Sequence, residues 1–154
     1  RIRLAVGHPG RGQRDSNRQG RRMDSWSDFG SALARLRTRF SCVVLTVMSW
    51  SIAVDCSKRN DLHWDGILSC ELLGAYKPDA AAYEAGARLL RLDPTEMMMV
   101  ASHPGDLRAA MAVGYRTGFV IARHDEPGGN DDGDSADFDV LANNFTLLAD
   151  QLVG

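Results

Sequence analysis

Short apolar runs separated by segments with helical spacing constrain this chain more than any other feature. The runs are residues 41–47, 67–70, 97–101 and 117–122, and each is too short and too uniformly apolar for a surface helix. Such runs are typical of parallel strands that are buried on both faces. Between them, apolar residues recur every three to four positions, as in amphipathic helices. The alternation predicts an α/β fold with a parallel sheet flanked by helices.

Residues 1–22 differ from the rest of the chain. They are rich in arginine and glycine, and Asp15 is their only acidic residue. Because this segment shows neither helical nor strand periodicity and offers little apolar surface to bury, we predict a disordered basic tail over residues 1–22. We predict a single folded region over residues 23–154, with an acidic, glycine-rich loop at residues 124–137.

Composition excludes several classes of function. The 154 residues suit one domain, and the net charge of −2 gives no indication of nucleic acid as a partner. No apolar run approaches the roughly 20 residues that span a membrane. Cys42, Cys56 and Cys70 are widely spaced and odd in number, which indicates free buried thiols rather than a zinc site or a disulfide framework. We therefore expect a reducing, cytoplasmic setting.

Polar side chains follow the predicted strands, at the positions where parallel sheets usually have their functional sites. Thr46 lies near the end of the first apolar run, Lys77 lies in a loop before a helix, and the segment from Ser102 and His103 to Asp106 follows the third run. The carboxyl ends of parallel strands meet at one edge of a sheet, where ligands bind. The five residues are therefore candidates for one site, although Asp106 also suits the start of a helix.

Two segments carry a resemblance to a known family. Trp64-Asp65-Gly66-Ile67-Leu68-Ser69 with Tyr76-Lys77-Pro78-Asp79, followed by residues 98–119, resembles the haloacid dehalogenase superfamily, and within it the type II 2-haloacid dehalogenases. The resemblance implies a Rossmann-like sheet with an inserted helical cap. It also implies an aspartate at the end of the first strand that attacks a short 2-haloacid and forms an ester, which water then hydrolyses.

The resemblance assigns roles to the candidate residues. Lys77 would hold the nucleophile ionised, and Asp106 would position water or pair with the lysine. Thr46, Ser102 and His103 would contact the substrate, although Val47 and Met48 stand where dehalogenases carry a polar pair. Magnesium prefers several carboxylates, and this segment offers one carboxylate beside a histidine, so we expect neither metal nor other cofactor. A homodimer is left open.

The nucleophile of the resembled family has no evident counterpart. Asp15 follows no apolar strand, and the sequence leaves no room for a cap between a nucleophile at the end of a first strand and Thr46. We therefore expect an incomplete sheet that lacks its central first strand, and a chain without turnover of its own. Two other interpretations stay open, namely a non-catalytic remnant that serves as an interaction module and a magnesium-dependent phosphatase of the same superfamily.

Overall fold

A computed structural model of the chain describes residues 3–7, 23–121 and 137–154. In this part of the chain six strands form one sheet in the order β3-β2-β1-β4-β5-β6, and every neighbouring pair is parallel. The strands are β1 Arg3–Gly7, β2 Ser41–Thr46, β3 Gly66–Ser69, β4 Met97–Ala101, β5 Arg116–Val120 and β6 Val140–Ala142. The predicted parallel α/β sheet is confirmed.

Helices connect most of these strands and cover both faces of the sheet. They are α1 Phe29–Arg37, α2 Trp50–Arg59, α3 Cys70–Leu73, α4 Ala80–Leu89, α5 Pro104–Val113 and α6 Phe145–Val153, with a 3-10 turn at Pro94–Glu96. The sequence prediction missed the one-turn helix α3, which Ser69 caps by accepting a hydrogen bond from the backbone of Glu71. None of the helices in the described residues is long and apolar enough to cross a membrane.

Strand β1 corrects the predicted tail and the predicted gap in the sheet. Arg3–Gly7 pairs with β2 on one side and with β4 on the other, so the central strand is present. Leu4 and Ala5 are each 1% exposed and belong to different core clusters. The prediction of disorder is therefore wrong for residues 3–7, which pair within the same sheet as strands of residues 23–121. Residues 8–22 lie outside the described residues.

Two apolar cores lie on opposite faces of the sheet. On one face the strands pack against α4 and α5 through residues such as Tyr83, Ala87 and Leu107. On the other face they pack against α1 and α6, with Phe29 and Phe145 in edge-to-face contact at 4.7 Å between ring centroids. Burial of strand residues on both faces explains why the runs in the sequence do not alternate.

Aspartates hold the N-cap positions of α1 and α4 without capping those helices through their side chains. Asp28 occupies the N-cap position of α1 but makes no cap bond there. Its Oδ2 instead accepts from the backbone N–H groups of Phe145 and Thr146, at 2.9 and 3.1 Å, and so caps α6. Asp79 holds the N-cap position of α4, again without a side-chain cap bond. The three cysteines are free and buried, as predicted.

Candidate active site

A buried ion pair joins the two residues expected to be catalytic. Lys77 Nζ donates to Asp106 Oδ2 at 2.6 Å, and the two side chains are only 7% and 14% exposed. Lys77 lies in the turn between α3 and α4, and Asp106 lies in the first turn of α5. A carboxylate in the first helical turn is favoured by the helix dipole. Two segments 29 residues apart thus meet beyond the carboxyl end of the sheet.

Tyr83 completes this cluster, and the sequence analysis did not identify it. Its hydroxyl donates to Asp106 Oδ1, so both carboxylate oxygens are bonded, one to Lys77 and one to Tyr83. The Tyr83 side chain is fully buried, and burial, followed by the hydrogen bond to Asp106, raises the pKa of its hydroxyl far above the usual range. Tyr83 therefore remains a neutral donor to the carboxylate.

Tyr115 contacts Tyr83 through a hydrogen bond and through its ring. The Tyr115 hydroxyl donates to the backbone carbonyl of Tyr83 at 2.7 Å, and the two rings meet edge to face at 6.1 Å. Burial raises the pKa of Tyr115 to about 12. Cys70 also lies beside the cluster, and burial raises the pKa of its thiol, which the backbone N–H of Lys77 partly counteracts. The cluster is thus built on tightly packed, uncharged neighbours.

Asp106 was a candidate for the N-cap of a helix, and the structure places it in the first turn of α5 with His103 at the N-cap. Helix α5 has His103 at its N-cap, without a side-chain cap bond, and Pro104 at its first position. Proline is favoured there because its missing N–H would have no partner in the first turn. The Asp106 carboxylate is consequently used for Lys77 and Tyr83 rather than for capping.

Thr46 lies at the end of β2 and is fully buried. Its Oγ1 accepts from the backbone N–H of Met48 at 3.1 Å, and its neighbour in β3 is Ser69. Ser69 in turn donates to the Met48 carbonyl at 2.7 Å. In the described residues no hydrogen bond connects Thr46 with Lys77 or Asp106, so Thr46 lies at the same edge of the sheet but outside the ion-pair cluster.

Ser102 and His103 follow β4 directly. Ser102 is 6% exposed, and within the described part of the chain neither its Oγ nor His103 Nε2 has a hydrogen-bond partner although both atoms are buried. Buried polar atoms are usually satisfied, and exceptions often mark a bound water or ion. Both atoms are thus buried at the end of β4 without a partner among the described residues.

The central strand contributes no acidic side chain to this edge. Strand β1 ends at Gly7, which pairs with Leu45 of β2, one residue before Thr46. A nucleophile was expected at the end of the first strand, and the sequence has no acidic residue between positions 1 and 14. The strand is therefore present without a carboxylate at its end, which refines the expectation that both were missing.

Among the described residues, no group of three or more histidine, cysteine, aspartate or glutamate side chains could hold a metal ion. Asp106 is the acidic member of the cluster, and both its oxygens are bonded to protein donors. Magnesium needs free, hard oxygen ligands in an octahedral arrangement. The described donor set does not fit a magnesium ion.

Comparisons with solved structures identify the architecture. The chain superimposes on an L-2-haloacid dehalogenase with a TM-score of 0.80 and 31% identity, covering 92% of this chain and 64% of that one. A defluorinating L-2-haloacid dehalogenase gives a TM-score of 0.79 and 30% identity, with coverage of 89% and 57%. The L-2-haloacid dehalogenase from Xanthobacter autotrophicus with covalently bound chloropropionic acid gives a TM-score of 0.75 and 16% identity. That match covers 88% of this chain and 63% of the dehalogenase.

The chain thus spans less than two thirds of the length of each of these solved relatives. A scan against protein-family models found no match. A search of curated proteins found no match either.

Proposed function

The chain belongs to the haloacid dehalogenase superfamily of hydrolases by its fold, and on that premise we propose that it is a dehalogenase-type core whose central strand lacks the nucleophilic carboxylate. The observation that carries the proposal is the buried cluster of Lys77, Asp106 and Tyr83 beside a strand that ends in Gly7. In this proposal the substrate class is the short 2-haloacid, and the reaction requires a carboxylate at the end of β1.

The chemistry of the proposed reaction explains what the cluster would do. A carboxylate oxygen attacks C2 of the haloacid, a carbon–oxygen bond forms, and the halide leaves with the electron pair of the carbon–halogen bond. Lys77 would stabilise the attacking carboxylate in its charged form. Asp106 would orient the water that hydrolyses the resulting ester, and Tyr83 would keep Asp106 in place. Thr46, Ser102 and His103 would contact the substrate.

Turnover is proposed to be absent in this chain because the nucleophile is absent. In covalent catalysis the loss of one member of the catalytic unit removes most of the rate enhancement. Gly7 cannot form an ester, and Val47 and Met48 replace the expected polar donors after Thr46. A non-catalytic remnant that acts as an interaction module is therefore the second candidate.

A magnesium-dependent phosphatase is the third candidate and fits less well. Such an enzyme would need Asp106 as a metal ligand, but Lys77 and Tyr83 already occupy both of its oxygens. A lysine so close to the carboxylate supplies the positive charge that a metal would otherwise bring. We accordingly propose a reaction that needs neither metal nor other cofactor.

The test restores the missing group. The variant Gly7→Asp is incubated with 2-chloropropionate in the presence of EDTA, and the peptide that carries residue 7 is analysed by mass spectrometry. We expect an ester adduct on Asp at position 7 and none in Gly7→Asn, which matches the side chain in size but cannot attack. A parallel assay supplies Gly7→Asp with a phosphate ester and with magnesium in place of EDTA. Magnesium-dependent hydrolysis there, with no adduct in the first assay, would refute the dehalogenase assignment.

The proposal also places the protein in a reducing, cytoplasmic compartment. Its support is the presence of three buried cysteines without a disulfide. Sedimentation of the purified chain would test whether it forms the homodimer that the sequence leaves open.

A further inference from the structure

The last strand of the sheet has a backbone edge that no other strand of the described residues covers. Strand β6 pairs with β5 on one side and ends the strand order. The Ala142 carbonyl accepts from the backbone N–H of Ile121, so Ala142 faces β5. Successive residues of a strand direct their backbone groups to alternate sides. Leu141, which precedes Ala142, therefore directs both its N–H and its carbonyl away from the sheet.

A side chain of α6 contacts this edge. Gln151 Nε2 donates to the Leu141 carbonyl at 2.9 Å, which agrees with a carbonyl that faces outward. A carbonyl oxygen has two lone pairs, so it can accept a second hydrogen bond. Among the described residues the Leu141 N–H has no acceptor. Leu141 thus offers one donor and one acceptor on the same side.

An open groove of about 460 Å³ lies between β6 and α6. Leu141 and Leu147 line it and are 42% and 41% exposed, although both are large apolar side chains. Strand β6 reads Val-Leu-Ala and contains neither a charged residue nor a proline, the devices that commonly prevent an edge strand from pairing. The groove therefore combines exposed apolar surface with a strand edge that is able to pair.

The charges beside the groove suit contact with an identical surface. A two-fold contact brings the same patch of two copies together, so unpaired charges of one sign would repel each other. Asp150 is the charged residue that lines the groove, and Arg35 of the same chain neutralises it at 2.7 Å. The lining thus carries no unpaired charge, which favours a second copy over a strongly basic or acidic partner.

We propose that β6 and α6 form a two-fold contact with a second copy of this chain, in which the two β6 strands run antiparallel with Leu141 at the axis. Directly opposite residues of an antiparallel ladder exchange both backbone hydrogen bonds. Each Leu141 N–H therefore donates to the Leu141 carbonyl of the other copy, and the leucine side chains of both copies fill the two grooves. The contact does not depend on the chemistry proposed for Lys77 and Asp106.

The size of the patch predicts a weak dimer. It consists of a three-residue strand and one face of a nine-residue helix. We expect such a patch to bury less than the roughly 1,200 Å² at which stable interfaces begin. The expected behaviour is a monomer–dimer equilibrium with a dissociation constant above about 1 μM.

The first test is sedimentation equilibrium of the wild-type chain over a series of micromolar concentrations. We expect the mass to rise from monomer to dimer. Leu141→Lys places two ammonium groups at the axis and should stay monomeric throughout. Leu89→Lys, at a 62% exposed leucine on α4, is the matched control and should dimerise like the wild type. A monomeric wild type would mean that another segment of the chain or a different partner covers the groove, and it would overturn the proposal, as would dimerisation of Leu141→Lys.

The second test is chemical cross-linking, which locates the axis without a charged substitution. Opposite residues of an antiparallel ladder have Cα atoms about 5.5 Å apart, so a short bis-maleimide should join two copies of Leu141→Cys. Leu89→Cys is more exposed yet should stay monomeric, and the native cysteines are buried and should not react. Equal cross-linking of both variants would indicate random collision, and no cross-link in Leu141→Cys would place the contact elsewhere. Either result would overturn the proposal.

Discussion

Lys77 Nζ lies 2.6 Å from Asp106 Oδ2 in a pair that is almost completely buried. Removing one partner of a buried pair leaves an uncompensated charge, which costs about 3–5 kcal/mol. We therefore expect Lys77→Met to lose about that much free energy of unfolding, measured by urea denaturation. Lys58→Met, at an exposed lysine, is the control and should change stability by less than about 0.5 kcal/mol. A stable Lys77→Met would show that the pair is not buried in solution.

The double variant Lys77→Met with Asp106→Asn separates charge from packing. Because both charges are then removed, we expect it to be more stable than Lys77→Met alone, with a coupling energy of about 1–3 kcal/mol. Additive losses in the four-variant cycle would contradict a direct interaction between the two side chains.

Tyr83 donates to the same carboxylate and should matter more than Tyr115. A hydrogen bond to a charged group contributes about 1.5–3 kcal/mol, and a neutral one about 0.5–1.5 kcal/mol. Tyr83→Phe should therefore lower the free energy of unfolding by about 2 kcal/mol, and Tyr115→Phe by about 1 kcal/mol, in the same urea assay. The reverse ranking would mean that the Asp106 bond is not formed.

Because strand β1 lies between β2 and β4 in the sheet, we predict that residues 3–7 are required for folding. Leu4 is 1% exposed in the core between β1, α1 and α6, so Leu4→Ala should cost about 2–5 kcal/mol. Leu72 is 67% exposed, and Leu72→Ala is the matched control with little expected effect. Equal melting temperatures for Leu4→Ala and the wild type would restore the initial expectation that residues 3–7 are part of a disordered tail.

The lowered pKa of Asp65 predicts that the free energy of unfolding decreases at acidic pH. Its carboxylate accepts from the Arg37 guanidinium at 2.7 Å and from the Cys42 backbone N–H at 2.8 Å, and chiefly the bond to Arg37 lowers its pKa below the ordinary 3.8. A lowered folded pKa gives stability that is fully present above the unfolded value and is lost as the pH falls through the folded value.

In Asp65→Asn we expect a loss of about 1 kcal/mol at pH 7, a modest figure because the pair is one third exposed to solvent. The difference from the wild type should begin to shrink below about pH 3.8, where the unfolded carboxyl takes up its proton, and should be lost once the pH has fallen below the lower folded pKa. A difference that grows on acidification would contradict the sign of the pKa shift.

Much of the fold follows from local sequence, and particular elements show where this fails. The uniformly apolar run at residues 97–101 matches β4 at both ends, because a strand buried on both faces needs no alternation. Strand β1 has only three apolar residues, Leu4, Ala5 and Val6, and owes its existence to pairing with strands 38 and 94 positions away in register. Such distant partners leave no local pattern.

In the candidate site, too, some residues could be predicted from local sequence and others could not. Lys77 and Asp106 could be identified because each follows a strand or precedes a helix in a recognisable segment. Tyr83 could not, since a tyrosine on the apolar face of a helix is indistinguishable from an ordinary core residue until Asp106 is found beside it. Asp28 likewise caps a helix 117 residues away, which no local rule predicts.

The central claim is that this chain carries a dehalogenase-type site without its nucleophile, and halide release from 2-chloropropionate tests it most directly. Wild-type chain and Gly7→Asp are assayed side by side with EDTA present, with Gly7→Asp plus Lys77→Met as the control. The account predicts background release from the wild type, and release by Gly7→Asp that the added Lys77→Met removes. Release by the wild type above background, abolished by Asp106→Asn, would contradict it and reveal a nucleophile other than a residue at position 7.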